Sequence, residues 1–521
     1  MRTRRAFLAS AGAAIIGCAT PAALPAPSPS PAPPGATPTP PPVRTTSPAP
    51  GPPDWSALGD ELRGTLVRPN DAAYDAARLL YNTRFDGLRP QAIARCASVA
   101  DVQACVRFAR RSAVAITPRS GGHSYGGWSS GPGLVVDLGG LSAIDVQGER
   151  AAIGAGARLA DAYAAVAAQG RGIAAGSCPT VGFAGLSLGG GLGVLSRAWG
   201  LTCDSVTSID LVTADGTART CDALRDPELF WALRGGGGGN FGVVTSFTLR
   251  TRPSVPLAIA FVTWPWARAA AILRAWQSWI AALPDGVWSN VHLDAATGPE
   301  PTLLVHAVAT EDAAALRSQL DRLVSAAGSA PDSRTAFTRP YAEAMLLEGG
   351  CAQLSLAQCH LEGTSPEGRL GRETYAAKSA IAATPLSTAA IDAIVAGLEG
   401  LQALPNAGAG SVLIDAMGGA IARHAPDATA FPHRNAFATL QFVASWDAGA
   451  PAAIADASLA WLRSVYATAR PLIGSGAYVN YADPDLADWQ EAYYGTNYAR
   501  LQRVRAIYDP DRLFAFPQAV G

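Results

Sequence analysis

The sequence predicts an α+β fold of two domains, one threaded by glycine-rich loops and one built on a large, mostly antiparallel sheet covered by helices. Three observations predict it. At 521 residues the chain is too long for one simple core. Three glycine-rich loops, at 118–133, 176–193 and 234–242, alternate with short strands and helices. From about residue 256 the texture changes to longer apolar strand runs alternating with helical segments.

The N-terminus reads as an address. MRTRRAFLASAGAAIIGC, residues 1–18, has a twin arginine, Arg4-Arg5, followed by an apolar run too short to span a membrane. It predicts export by the route that carries folded proteins, to the periplasm, the cell surface or the medium. IIGC at 15–18 resembles a lipoprotein cleavage site, which would leave Cys18 lipidated as a membrane anchor; ordinary cleavage near Ala22–Ala23 is the alternative. Residues 19–54 are rich in Pro, Ala, Ser and Thr. Such a segment buries too little apolar surface to offset chain entropy and is expected to be a linker.

Folded sequence is expected from Trp55, with a first domain over 55–255. QAIARCAS, ADVQACVRFARRS and AVAITPRS predict strand, helix, strand, and GLVVDLGGLSAIDV two short strands. ARLADAYAAVAAQG is an Ala-rich helix ending at Gly170, SIDLVTADG a strand with a hairpin-like turn, and LFWALRGGGGGNFGVVTSFTLRTRP a helix, a loop and a strand. LAIAFVTW, WSNVHLDAA, TLLVHAVA, SVLIDAMGG and ATLQFVASW predict strands of a second domain over 256–470. The compact, aromatic segment 471–521 follows.

Composition excludes several functions. With 49% hydrophobic residues and a formal net charge of −1, the chain reads as globular, with no electrostatic reason to bind nucleic acid. Lys378 is its only lysine, so no phosphate-loop lysine exists. The six histidines show no metal-binding spacing. Of eight cysteines, Cys351 and Cys359 flank a short loop they could close; Cys96 and Cys105 are a weaker pair, and Cys203 and Cys221 read as buried thiols.

Glycine lets backbone N–H groups approach a ligand closely, and successive N–H groups make nests for phosphate oxygens. GGGLG at 189–193 lacks the strand–helix setting and downstream acid of a Rossmann motif. A Cys178/His123 nucleophilic pair is conceivable, since both residues sit in glycine loops.

Four stretches, in order, resemble the berberine bridge enzyme-like FAD-linked oxidases, a PCMH-type branch of the vanillyl-alcohol oxidase flavoproteins. They are PRSGGHSYGG, GSCPTVGFAGLSLGGGLG, LFWALRGGGGGNFGVVTSF and YVNYADPDL with its continuation YYGTNYARL and VRAIYDPDRLF, within Leu80–Gln518. The resemblance implies a two-part FAD domain completed by the C-terminal segment, and a substrate domain over the flavin. It implies FAD attached twice, through His123 to the 8α-methyl and Cys178 to C6. Ser120, Gly121, Gly122 and Ser124 would cradle the pyrophosphate. Gly182, Gly189, Gly190, Gly191 and Gly193 would pack against the cofactor, as would Asn240, Gly242 and Asn480. Val181 matches a position that admits oxygen to the flavin in relatives.

The resemblance also implies oxidation of an alcohol by hydride transfer to flavin N5, with O₂ reduced to H₂O₂. Tyr481 matches the base, and free tyrosine, with a pKa near ~10, needs help to act as one. Asp415, followed by GG and ATAFPHR as in sugar-oxidising members, would be its partner. Asn480 is expected to face away from Tyr481 by strand alternation. Gln441 and Tyr125 are expected to meet substrate, and Trp264, Trp266 and Trp446 to offer a sugar platform. The substrate implied is a sugar, oligosaccharide or glycosylated metabolite; the alternative is a dehydrogenase or tailoring enzyme acting on a hydrophobic natural product.

Overall fold

The computed structural model describes residues 52–521. The twin arginine, Cys18 and nearly all of the linker lie outside the described residues.

A four-stranded sheet opens the first domain, in the order Thr65–Val67, Ala92–Arg95, Leu134–Asp137, Ile116–Arg119. Its last three strands run parallel, which requires a crossover, and the helix Val99–Ser112 supplies one. Ser98 caps that helix by accepting from the Asp101 N–H at 3.2 Å. Val102, Cys105, Val106 and Ala109 form its buried stripe. The first glycine loop leaves the end of strand Ile116–Arg119, so the sheet fixes its origin. A five-stranded antiparallel sheet follows, with Val243–Arg250 between Arg150–Gly154 and Val206–Val212.

The second domain is a seven-stranded antiparallel sheet. Its order is Ser333–Arg339, Leu257–Trp264, Thr302–Ala309, Val287–Ala296, Ala409–Ala416, Ala438–Trp446, Thr374–Ala382. One face is sealed by helices Ala269–Ile280, Ala313–Ala327, Thr388–Gln402 and Ala452–Ile473, whose apolar residues share a core with Val291, Leu293, Val412 and Phe442. Alternation along the strands therefore turns Asn290, His292, Leu413, Asp415 and Gln441 to the opposite face, toward the first domain. Two strands differ from expectation. Ser333–Arg339 is a polar edge strand with no apolar run. Thr374–Ala382, TYAAKSAIA, carries alanines and a lysine that favour helix, yet every residue is buried.

That lysine is Lys378. Its ammonium lies 2.9 Å from both carboxylate oxygens of Asp483 and 3.0 Å from Asp485. The pair ties the large sheet to the C-terminal segment. Ala477, Leu486, Tyr493, Tyr494, Leu501, Val504 and Phe514 of that segment lie in the core of the first domain.

Cys351 and Cys359 form a disulfide, while Cys96, Cys105, Cys203 and Cys221 are buried thiols. Trp264 and Trp266 do not form a sugar platform: both are buried in the core under the helices, and Trp266 Nε1 donates to Glu399 at 2.8 Å. Trp446, at its strand's end, reaches the cavity rim.

Candidate active site

The three loops and the open face of the large sheet enclose one cavity of about 1240 Å³. Ordinary small-molecule pockets measure about 300–1,000 Å³, so this one is large enough for a dinucleotide-sized ligand and a second molecule beside it.

Two glycine loops meet backbone against backbone. A Cβ on Gly121 would stand 2.1 Å from the Gly182 nitrogen, and one on Gly182 would stand 2.1 Å from Ser120 Oγ. Only hydrogen fits at either position. This contact brings His123 and Cys178 to one wall. His123 Nε2 lies 3.0 Å from Thr180 Oγ1, and Cys178 Sγ lies 3.8 Å from the same oxygen. Tyr81 stacks on the His123 ring at 3.9 Å, held there by its N–H bond to the Gly122 carbonyl. Thr180 and Tyr81 were not anticipated. Thr180 sits within the quoted CPTVG motif, whereas Tyr81 carries no local signal.

The other cofactor residues divide. Ser120, Gly121, Gly122, Ser124, Val181, Gly182, Gly193, Asn240, Gly242 and Asn480 line the cavity. The Ser120 hydroxyl donates to the Ala155 carbonyl at 2.5 Å, and Ser124 Oγ accepts from the Trp128 N–H. The Ser120 proton is thus committed to the protein, which leaves backbone N–H groups and the Ser124 O–H as the donors that can meet phosphate. Gly189, Gly190 and Gly191 do not line the cavity. A Cβ on Gly189 would lie 2.1 Å from Asn480 Oδ1, and one on Gly191 2.2 Å from Thr202 Oγ1. Their smallness lets the loop close against neighbouring side chains; beside Gly190 stands the Phe431 ring.

Residues Val479–Tyr481 form a 3-10 turn rather than a strand. Asn480 Nδ2 donates to the Leu186 carbonyl at 2.9 Å and to the Tyr478 hydroxyl at 2.8 Å. The same hydroxyl accepts from the Gly191 N–H at 3.0 Å. The turn is thus locked onto the second loop, and Tyr481 points into the cavity. Tyr125 stacks on Tyr481, and Gln441 Nε2 donates to the Tyr125 hydroxyl at 2.8 Å. Gln441 and Tyr125, expected to meet substrate, are bonded to each other.

Asp415 lies across the cavity face on strand Ala409–Ala416. Asn290, its cross-strand neighbour, donates to Oδ1 at 3.2 Å. Burial pushes the Asp415 carboxyl up to about 6, while the Asn290 bond and nearby His306 pull it down. Asn290, His292, His306 and Glu348 also line this wall and were not anticipated.

The residues fit FAD. The loop contact brings an imidazole and a thiol into the lining of one cavity, and the buried Ser130 Oγ in the same lining has no protein partner.

Comparison with known proteins agrees. Residues 90–222 match the FAD binding domain family, and residues 477–521 match the family described as berberine and berberine like. An uncharacterized FAD-linked oxidoreductase of Bacillus subtilis, YgaK, is 33% identical over 470 residues, 88% of this chain and 97% of its own. Xylooligosaccharide oxidase of Thermothelomyces thermophilus is 32% identical over 467 residues, 83% of this chain and 87% of its own. The solved structure of BBE-like 1 from Physcomitrella patens superposes with a TM-score of 0.81 at 29% identity, covering 89% of this chain and 98% of that one. With the motif loops meeting around one cavity and the family matched at both ends of the fold, the chain belongs to the berberine bridge enzyme-like FAD-linked oxidoreductases.

Proposed function

We propose that the chain is an exported oxidase that converts an alcohol of a sugar, oligosaccharide or glycosylated metabolite to a carbonyl, with FAD held covalently by His123 and Cys178. One observation carries this reading: Tyr481 and Asp415, a phenol and a half-buried carboxylate, face one cavity whose wall also presents His123 and Cys178. FAD, when bound, would supply the two-electron oxidant, with O₂ as the final acceptor.

The chain's own residues do the rest. Tyr481 takes the hydroxyl proton of the substrate, and its stack with Tyr125 holds the phenol in place. Asp415, when ionised, supplies a negative charge that favours proton removal, and Asn290 keeps its carboxylate oriented. Val181 leaves a small side chain beside Cys178, which supports reoxidation by O₂. The activity named for the xylooligosaccharide oxidase relative supports a carbohydrate substrate.

Anaerobic addition of cello-, xylo- or chito-oligosaccharides is expected to bleach the flavin, and readmitted air to restore its colour with release of H₂O₂. If none bleaches it, the sugar reading fails. Flavin that stays reduced in air makes the protein a dehydrogenase. Export is tested by replacing Arg4 and Arg5 with lysine, which should leave the protein in the cytoplasm.

A further inference from the structure

The wall beside Asp415 carries polar groups that the proton transfer above does not use. Asp415, Asn290 and His306 are cross-strand neighbours and form one row over three adjacent strands. Phe261 continues the row and stacks on the His306 ring at 4.8 Å, while Trp288 meets that ring edge-on at 5.6 Å. Helix Tyr341–Glu348 ends against the row. Glu348, its last residue, places Oε1 at 3.2 Å from His306 Nε2.

These groups are buried but incompletely satisfied. The His306 and Glu348 side chains are 8% and 5% exposed. Their facing atoms are close, but the angles are not those of a hydrogen bond, and neither atom has another protein partner. Asn290 Oδ1, in the same row, has none either. Burying polar atoms without well-formed hydrogen bonds is unfavourable, and three beside one another on a cavity wall are the pattern expected where a ligand completes them. Glu348 is also held firmly. The Cys351 N–H bonds back to the Leu346 carbonyl at 2.7 Å, and the Cys351–Cys359 disulfide closes the following loop.

The ligand chemistry follows from the atoms. Asn290 Oδ1 and the Glu348 carboxyl oxygen can accept, and an imidazole nitrogen such as His306 Nε2 can donate. A hydroxyl satisfies both kinds at once, by donating to Glu348 and accepting from His306. An apolar ring would leave Asn290 Oδ1 unpaired and His306 and Glu348 with only their poorly aligned contact, and an acid would be set against two carboxyl groups, Glu348 and Asp415. The rings of Phe261 and Trp288 suit the C–H face of a sugar.

We propose that His306 and Glu348 anchor a substrate hydroxyl other than the one oxidised, and so select uncharged polyhydroxylated substrates. The inference rests on reading this cavity as a sugar-oxidising site. The holoenzyme, photoreduced under anaerobic conditions so that no turnover occurs, is titrated calorimetrically with cellobiose, xylobiose and chitobiose. For whichever sugar the wild type binds, Glu348→Ala and His306→Ala are expected to weaken binding by about tenfold each. The double variant should lose less than the product of the two, because the residues share one hydroxyl. Glu348→Gln, which keeps the shape, checks that any loss is not misfolding; it should retain an intermediate affinity and full flavin content. Unchanged affinity in both alanine variants, with a sugar bound by the wild type, overturns the anchor alone. Independent, multiplicative losses overturn the shared hydroxyl. If the wild type binds none of the three sugars, the sugar reading falls and takes the anchor with it.

Discussion

Tyr125 and Tyr481 stack with ring centroids 5.4 Å apart and planes 17° from parallel. Tyr375 meets Tyr125 edge-on at 5.1 Å, and Tyr478 meets Tyr481 edge-on at 5.0 Å. The Tyr481 ring is therefore held independently of its hydroxyl. Tyr481→Phe should keep the stack, the fold and the yellow colour, yet slow flavin reduction by roughly 10²–10⁴-fold, the usual contribution of a positioned base. Anaerobic stopped-flow absorbance measures this; a rate within a few-fold of wild type excludes Tyr481 as the base.

His123 and Cys178 make a second prediction. Acid-precipitated protein should remain yellow, and only the double replacement His123→Ala/Cys178→Ala should release all the FAD into the supernatant. Thr180→Val removes the hydroxyl that both side chains approach and should leave a fraction of the protein with a single linkage. Mass spectrometry of the flavinylated peptides distinguishes the species.

The pH dependence follows from two carboxyls withdrawn from water, half-buried Asp415 and buried Asp294. Asp415 is raised to about 6 and must be ionised to assist proton removal, so kcat/KM should rise through about pH 6. Asp415→Asn should lose that limb. Asp294, raised by burial to about 7 and lying outside the cavity lining, is the control: Asp294→Asn should retain it. Stability moves the other way. A carboxyl whose folded pKa is raised binds its proton more tightly when folded, so its contribution is present below the unfolded value near ~4 and lost as pH rises through 7. Asp294→Asn should therefore abolish a loss of roughly 3–4 kcal/mol between pH 4 and pH 8, seen by urea titration at each pH.

Gly121→Ala tests the backbone contact. The new methyl would meet the Gly182 nitrogen at 2.1 Å, and backbone cannot yield as a flexible side chain does. The two loops must part. We expect about 1–3 kcal/mol of destabilisation and incomplete flavin attachment, read by thermal melting and by the ratio of flavin to protein absorbance.

These site residues were legible because they sit in motifs that carry the family resemblance. It marked His123, Cys178 and Val181 in the glycine loops and Asp415 and Gln441 on two strands, and all five line one cavity. The limits are equally physical. YVNY has the residues of a strand, but the packing of Asn480 against Gly189 and Leu186 folds it into a 3-10 turn. Gly189, Gly190 and Gly191 look like cofactor glycines because the demand for close approach is the same whether the neighbour is a flavin or a side chain. Asn290 and His306 appear as polar interruptions in buried strands, a readable signal, but which strands lie side by side is set by tertiary packing. Glu348 had no signal at all. It ends an ordinary helix and reaches the cavity only through the way that helix docks.

Lys378 has a consequence for the protein's chemistry in its surroundings. It is the chain's only lysine, and it is 5% exposed, with its ammonium held by Asp483 and Asp485. The folded body thus displays no primary amine side chain to solvent. Reducing sugars and aldehydes, which condense with accessible amines, find no surface lysine to modify. A catalyst working among sugars and their carbonyl products would be protected in this way from slow glycation by its own reaction mixture.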